Sequence, residues 1–196
     1  KVIAGLVKEG RYMIPYLPEG VYADLRTASN MRFQIQSELT RIQNRISRWV
    51  NIYFPEYKTV YGRPDAVSGM MILKQAHLPE DILTLGVEGV NQIWRDAKMR
   101  AVGKKRAQIL IEAARHSIGA KEGSMAARME IRMLLEDYES RNNHLQEVMT
   151  LIEELVKQIP MAEKLMDIKG VGIKTVSGFL AEVGDVSRFS NPKELQ

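Results

Sequence analysis

The residues best suited to chemistry form a glycine-rich turn near the C-terminus, between two apolar segments. Two apolar residues precede the turn, three residues form it and two more apolar residues follow: Leu165, Ile168, Gly170, Val171, Gly172, Val176 and Phe179. This spacing predicts a helix-hairpin-helix. Glycines permit a tight turn and a close backbone approach to another group. The free N–H groups and the positive dipole end of the second helix would face a phosphate oxygen.

The side chains of the turn extend this prediction. Lys174 and Thr175 add a cation and a hydroxyl to the first turn of the second helix, and Val171 is expected to pack inward. We therefore predict that Gly170, Val171, Gly172, Lys174 and Thr175 bind the backbone of double-stranded DNA, positioning the protein without reading sequence. The alternative is a plain Gly-x-Gly turn between two helices. The full pattern favours DNA binding, and a single hairpin would need other contacts beside it.

Two other groups of cations could contact phosphate. Residues 98–106 contain five cations and no acid, with Gly103 just before a predicted helix. Lys104, Lys105 and Arg106 are predicted to bind nucleic acid at that helix start; a solvated basic loop is the alternative. A stripe at i, i+4 and i+7 could follow a nucleic-acid backbone or form a solvated helix face. It consists of Arg41, Arg45 and Arg48.

No arrangement in the sequence predicts catalysis. His77, His116 and His144 are far apart, and no metal-ligand spacing or nucleophile-and-base pair is present. The sequence contains no cysteine, which excludes disulfides and thiolate metal sites. We predict no catalytic residue, metal site or cofactor within this segment. An aromatic cluster is expected to pack in the core rather than stack on bases; its members are Trp49, Tyr53, Phe54 and Tyr57.

Two runs of apolar residues with alternating spacings of three and four must position these groups. The first run is Leu25, Ala28, Arg32, Ile35, Leu39, Ile42, Ile46, Trp49 and Tyr53. The second run is Ile131, Leu134, Tyr138, Arg141, Leu145, Val148, Ile152, Leu155 and Ile159. On a helix, each run forms an apolar seam, which is typical of coiled coils. The alternative is the core of an ordinary helical bundle. The runs could pair antiparallel within one chain or between two chains, with Arg32 and Arg141 as candidates for setting register.

The remaining sequence is also predicted to be helical, so the expected fold class is all-α. Shorter helices are predicted to start at Pro64 and Pro79 and to cover 86–97 and 104–118, the last closed by Gly119 as a C-cap. Residues 1–9 are predicted to be a helix, and 11–17 an edge strand or an extended linker. We predict three parts: residues 1–18, a coiled-coil domain over 19–160, and a new domain over 161–196.

Charge and hydropathy restrict the function classes. The net charge is +4, and residues 1–50 carry all of the excess. A mild positive balance is compatible with nucleic-acid binding. No apolar run is long enough to predict a membrane span. The chain begins at Lys1 and ends within a charged run, so we expect a fragment of a longer protein.

The order of these parts resembles the DEDD-type insertion-sequence transposases, the family named for insertion sequences one-ten and one-sixteen. The resemblance rests on Lys1-Val-Ile-Ala-Gly5, the two heptad runs, Ile93-Trp94-Arg95, Gly103-Lys-Lys-Arg106, Ile168-Lys-Gly-Val-Gly172, Leu180-Ala-Glu-Val-Gly-Asp185 and Ser187-Arg-Phe189. It implies an N-terminal RuvC-like nuclease domain, whose tail would be residues 1–18, then a coiled coil and a transposase domain with a reactive serine. It also implies that the acidic residues and the serine lie outside this segment, so Ser177, Ser187 and Ser190 are not assigned that role.

The expected function is therefore DNA transposition by a parent protein of a mobile element. The resemblance implies divalent metal in the parent, a structured guide RNA and a homo-oligomer in a bacterial, cytoplasmic and nucleoid-associated setting. This segment would supply dimerisation and contacts to a DNA or RNA backbone. The alternatives are a non-catalytic helix-hairpin-helix module for DNA binding or repair, and a structural coiled-coil interaction protein.

Overall fold

The computed structural model describes residues 2–11, 16–100 and 102–191, and it confirms the all-α prediction. All regular structure in these ranges is helical. A short 3-10 helix, Val186–Arg188, follows the last α-helix. The α-helices of the described ranges are, in chain order, α1 (Val2–Lys8), α2 (Val21–Tyr53), α3 (Tyr57–Tyr61), α4 (Val67–Gln75), α5 (Pro79–Asp96), α6 (Lys104–Arg115), α7 (Ser124–Lys157), α8 (Pro160–Met166) and α9 (Ile173–Val183). No helix among the described residues combines the length and apolarity that a membrane span needs.

The chain divides into two compact units. The terminal unit contains residues 1–33 and 147–196, and the central unit contains residues 34–146. Both long helices, α2 and α7, contribute to both units. This division follows contacts within the fold, and the domain boundaries near residues 18 and 160 stay predictions.

In the central unit the two heptad seams pair antiparallel within one chain. Three contacts fix the direction, because the residue number on α7 falls as the number on α2 rises. Nε of Arg141 lies 3.1 Å from Oε2 of Glu38, and Nε2 of Gln43 donates to the hydroxyl of Tyr138 over 3.4 Å. Nε1 of Trp49 donates to the carbonyl of Ala127 over 3.0 Å. The sequence left intramolecular and intermolecular pairing open, and here the pairing is intramolecular.

Most of the seam residues are buried, in both units, as the heptad pattern predicts. The buried members are Leu25, Ala28, Ile35, Leu39, Ile42, Ile46, Trp49, Ile131, Leu134, Val148, Ile152, Leu155 and Ile159. Of the two seam arginines, Arg141 forms the ion pair with Glu38, which suits the predicted role in register. Arg32, in the terminal unit, lies against the ring of Phe33, 4.4 Å from its centroid.

Helices α3 to α6 complete the core of the central unit. Trp49, Phe54 and Tyr57 are buried there, which confirms core packing for the aromatic cluster. Trp94 on α5 is also buried, and its Nε1 donates to the carbonyl of Ser68 over 2.8 Å. These bonds give each buried indole N–H an acceptor, as a buried donor requires.

Helix α5 joins two of the predicted helices, and its start is defined by polar contacts. Gly86, with φ of 65°, interrupts the helix between the two predicted parts. Pro79 occupies the first turn, and Oδ2 of Asp81 accepts from the amides of His77 (3.1 Å) and Leu78 (3.0 Å). Asp81 also forms an ion pair with Arg128 of α7, which ties α5 to the long helix. The predicted helix start at Pro64 is wrong, since α4 begins at Val67.

Gly119 is not the C-cap of α6, and the prediction is corrected on this point. The helix ends at Arg115 with His116 as its C-cap. Gly119 lies in a loop against the end of α2, where a Cβ atom would overlap the backbone carbonyl of Tyr53. The next amide, of Ala120, donates to the carbonyl of Ile52 over 2.8 Å. The absence of a side chain therefore permits a close approach of two backbone segments.

We expect the Gly119→Ala substitution to destabilise the central unit by about 2 kcal/mol or more, because one of two backbone segments must move. Gly103→Ala is the matched control, since Gly103 has extended backbone and open space around its Cβ position. Its expected cost is below about 1 kcal/mol. Urea unfolding followed by circular dichroism measures both. Equal midpoints for the two variants would contradict the assigned role of Gly119.

The stability of the fold is expected to depend on pH through the carboxyl group of Asp81. Burial by itself would raise the pKa of Asp81, but the amide of Leu78, Arg128 and the amide of His77 outweigh burial, so the pKa is lowered. A lowered folded-state pKa stabilises the fold above the unfolded pKa, and this contribution is lost as the pH falls. The Asp81→Asn variant should be about 1–2 kcal/mol less stable at pH 7, with the difference shrinking below about pH 4.

The control for this experiment is Glu80→Gln, because Glu80 also pairs with Arg128 but its side chain is exposed. An exposed ion pair contributes little, so the change at pH 7 should stay below about 1 kcal/mol. A difference between wild type and Asp81→Asn that persists unchanged at pH 3 would show that the charge of Asp81 is not the cause.

Candidate nucleic-acid interface

A tight turn joins α8 to α9 at the predicted hairpin. The amide of Val171 donates to the carbonyl of Ile168 over 2.9 Å, and Gly170 has φ of 88°. A bond from residue i+3 to residue i, with positive φ at residue i+2, is the geometry of a type II turn. A side chain at Gly170 would be strained, so the first glycine is explained by backbone conformation.

The turn leads directly into the N-terminus of α9. Gly172 is the N-cap with extended backbone, and its carbonyl accepts from the amides of Thr175 (2.9 Å) and Val176 (3.1 Å). Within the described ranges, the amides of Ile173 and Lys174 have no hydrogen-bond acceptor, and no side chain caps the helix. Two backbone donors and the positive end of the helix dipole are thus available to an anion.

The structure brings the predicted hairpin residues to one surface. Gly170, Gly172, Lys174 and Thr175 are exposed, whereas Val171 is half-buried. Gly172 has open space around its Cβ position, so nothing in the fold itself requires a glycine there. Lys169 is exposed beside them, and the sequence reasoning missed it. Its position directly before Gly170 was the available signal.

The opposite face of α9 anchors the hairpin in the terminal unit. Val176, Leu180 and Ala181 are buried, together with Ser177, whose Oγ donates to the carbonyl of Lys174 over 3.2 Å. A buried, hydrogen-bonded serine is unsuited to surface chemistry. Not all apolar residues of the predicted hairpin pattern are buried, because Ile168 is 54% exposed and Phe179 is 38% exposed. Burial therefore accounts for Val176 but not for these two residues.

The stretch after α9 is held by contacts to Tyr16 and by a capped turn. Gly184 has φ of 73°, and a Cβ atom there would meet the ring of Tyr16. The guanidinium of Arg188 lies 3.6 Å from the centroid of the same ring. Asp185 caps the 3-10 helix by accepting from the amide of Ser187, and this bond lowers the pKa of Asp185. These contacts explain Gly184 and Asp185 by their roles in the fold, without reference to a ligand.

The predicted basic site lies in the central unit, and its three residues have different roles. Nζ of Lys104 forms an exposed ion pair with Oε1 of Glu88 at 2.6 Å. Arg106 is half-buried: its NH2 group donates to the carbonyl of Val60 over 2.7 Å, and it lies 5.4 Å from the ring centroid of Tyr61. Burial raises the pKa of the Tyr61 hydroxyl, with Arg106 opposing the shift. Lys105 is exposed and has no ion pair in the described part of the chain.

The start of α6 borders an open cleft. Gly103 is the N-cap with extended backbone and no side-chain cap. The cleft has a volume of about 530 Å³ and is lined by Thr59, Val60, Val102, Lys105 and Ile109, among others. Of the three residues of the predicted basic site, Lys105 is thus the one without an ion-pair partner in the described ranges. Arg106 instead supports the fold. The hairpin and this segment belong to different compact units.

No group of three or more His, Asp or Glu side chains converges anywhere in the described ranges. Divalent metals in proteins are held mainly by several such ligands. We therefore derive no metal-dependent step from this segment.

Separate substitutions should distinguish the roles of Arg106 and Lys105. We expect Arg106→Ala to destabilise the central unit by about 1–3 kcal/mol, because the Val60 carbonyl and Tyr61 lose their partner. Lys105→Ala, an adjacent loss of the same charge, should change stability by less than about 0.5 kcal/mol. Urea unfolding of both variants measures the difference. An Arg106→Ala variant as stable as Lys105→Ala would show that Arg106 is not structural.

Comparison with known proteins finds a family similarity over the segment that contains the turn between α8 and α9. No curated protein matches the chain. Residues 162–196 match the model of the Transposase IS116/IS110/IS902 family. The matched segment begins within α8 and includes the turn and α9. The resemblance drawn from the sequence is confirmed over this segment. Over residues 162–196, the chain is similar to the Transposase IS116/IS110/IS902 family.

Proposed function

We propose that this chain is a segment of a DNA transposase in which the hairpin at Gly170–Thr175 binds the phosphate backbone of double-stranded DNA. The observation that carries the proposal is the exposed, uncapped N-terminus of α9, directly after a glycine turn, within the family-matched residues. Two free amides and the helix dipole favour an anion at this position.

The exposed side chains of the hairpin suit the same ligand. Lys169 and Lys174 add two exposed cations at the turn, and Thr175 adds a hydroxyl. Neither lysine forms an ion pair within the ranges that the structure describes. Gly172 has no neighbour at its Cβ position, and a glycine there lets a phosphate oxygen approach the amides closely. Contacts of this kind are independent of base sequence.

The start of α6 is proposed as a further backbone contact. Lys105 supplies a free charge beside the uncapped helix N-terminus, and Lys104 can exchange its exposed partner Glu88 for a phosphate at little cost. A structured guide RNA presents the same phosphate chemistry as DNA, so it belongs to the proposal as a second ligand. The divalent metal remains an expectation for other parts of the parent protein.

Homo-oligomerisation also belongs to the proposal, but the heptad seam is not its surface. Most of the seam residues are buried within a single chain, which argues against the seam as the contact with a second copy. An oligomer of the parent would therefore use another face. Light scattering on this chain measures whether such a face is present in it.

The hairpin proposal is tested by fluorescence anisotropy with a labelled DNA duplex at several salt concentrations. Gly172→Val places a branched side chain where the phosphate would approach, and its backbone conformation suits valine (φ −113°, ψ 174°). We expect binding to weaken about tenfold or more, equivalent to at least about 1.4 kcal/mol. Lys174→Ala should reduce the slope of log K against log salt by about one.

Gly178→Ala serves as the control, since Gly178 lies on the same helix with open space around its Cβ position. This variant should bind like wild type. Circular dichroism checks that all three variants remain helical. Unchanged duplex binding by a folded Gly172→Val variant would rule out the hairpin as the phosphate contact.

A further inference from the structure

We infer that the central unit carries a second surface for a phosphodiester backbone on the solvent-exposed side of α2. This surface, the arginine stripe, consists of Arg41, Arg45 and Arg48. All three residues are exposed. The inference rests on the proposed function only in assuming that the parent protein binds nucleic acid. The stripe and the hairpin belong to different compact units and are tested separately.

Helix geometry aligns the three guanidinium groups. Spacings of four and three residues place the side chains on one face, about 10 Å from first to last along the helix axis. Measured along the axis of a duplex, that length covers about three base-pair steps at roughly 3.4 Å per step. The seam residues Ile42, Ile46 and Trp49 follow each arginine by one position and are buried. The core therefore fixes the direction in which the stripe faces.

The stripe lacks the carboxylates that usually neutralise arginines on a helix. In the described part of the chain, none of the three forms an ion pair. Glu38, the acid of α2 that is nearest in sequence, pairs with Arg141, and Glu56 accepts from Ser117 and Ile118. Several other cations of the central unit do have carboxylate partners: Arg63, Lys74, Lys104, Arg115 and Arg128.

The surroundings of the stripe favour nucleic acid over a protein partner. The exposed positions around it on α2 are uncharged hydrogen-bonding residues, namely Gln34, Ser37, Thr40, Asn44 and Asn51. Such side chains, together with arginine and lysine, are common donors to phosphate and sugar oxygens. The core of a protein–protein interface is instead apolar and aromatic. Large apolar residues of α2 are exposed only beyond the ends of the stripe: Met31 and Phe33 before it and Ile52 after it.

The residue type also suits phosphate. A guanidinium is planar, remains charged and can donate two parallel hydrogen bonds to one phosphate. Three unpaired guanidinium groups in a row would contact neighbouring phosphates of a nucleic-acid backbone, in DNA or in RNA. The shared ligand chemistry is the phosphodiester backbone, and the two sources are separated by experiment.

The experiment compares two triple variants of the full 196-residue chain. The test variant carries Arg41→Gln, Arg45→Gln and Arg48→Gln. The matched control carries Arg63→Gln, Lys74→Gln and Arg115→Gln, which removes the same charge from exposed, ion-paired positions of the same unit. Anisotropy titrations use a labelled DNA duplex and a labelled RNA stem-loop at several salt concentrations, and light scattering records the oligomeric state.

We expect the test variant to bind at least about tenfold more weakly than the control to the DNA, the RNA or both. Its slope of log K against log salt should be shallower by roughly 2 to 3, because three phosphate contacts are lost. Loss confined to one probe identifies the natural ligand. The same loss of slope should appear in the Gly172→Val background, because the two surfaces are independent.

Three outcomes would overturn the inference. Equal binding by the test and control variants would show that the stripe contributes only general charge. An altered oligomeric state with unchanged nucleic-acid binding would assign the stripe to a protein contact. An unaltered chain that binds neither probe at low salt would overturn both proposals, whereas failure of Gly172→Val alone affects only the hairpin.

Discussion

The burial of two long apolar seams against each other is the constraint on which the central unit depends. In proteins, most of the stability of a helix comes from the packing of its amphipathic face rather than from helix propensity. Antiparallel pairing of α2 and α7 within one chain provides the cover, and the pair of Glu38 with Arg141 suits a single register. The shorter helices then close over the aromatic end of α2, where Gly119 lets the loop reach the backbone.

The same packing divides the cations of the chain into two groups. Arg106, Arg128 and Arg141 hold carbonyls or carboxylates and thereby join elements of the central unit. Lys105 and Lys174 face solvent and form no ion pair in the ranges described. A neutralised cation attracts a phosphate weakly, whereas an unpaired one retains its full attraction. Sequence position alone does not separate the groups, because Lys105 and Arg106 are neighbours.

The glycines near the C-terminus illustrate different physical reasons for one residue type. Gly170 provides the positive φ of a type II turn, and Gly184 combines positive φ with close contact to Tyr16. Gly172 has neither constraint within the fold. A glycine without an internal reason, at the uncapped start of α9, is what a close approach to an external anion would require.

Local pattern determined much of this protein: the helical fold class, both apolar seams, the aromatic core at the end of α2 and the tight turn between α8 and α9. These follow from periodicity and turn chemistry, which act over a few residues. The tertiary structure decided what depends on distant residues. It paired the seams within one chain, assigned Arg106 to Val60 and Gly119 to Tyr53, and exposed Ile168 and Phe179. No spacing in the sequence contains that information, because each partner is brought close only by the fold.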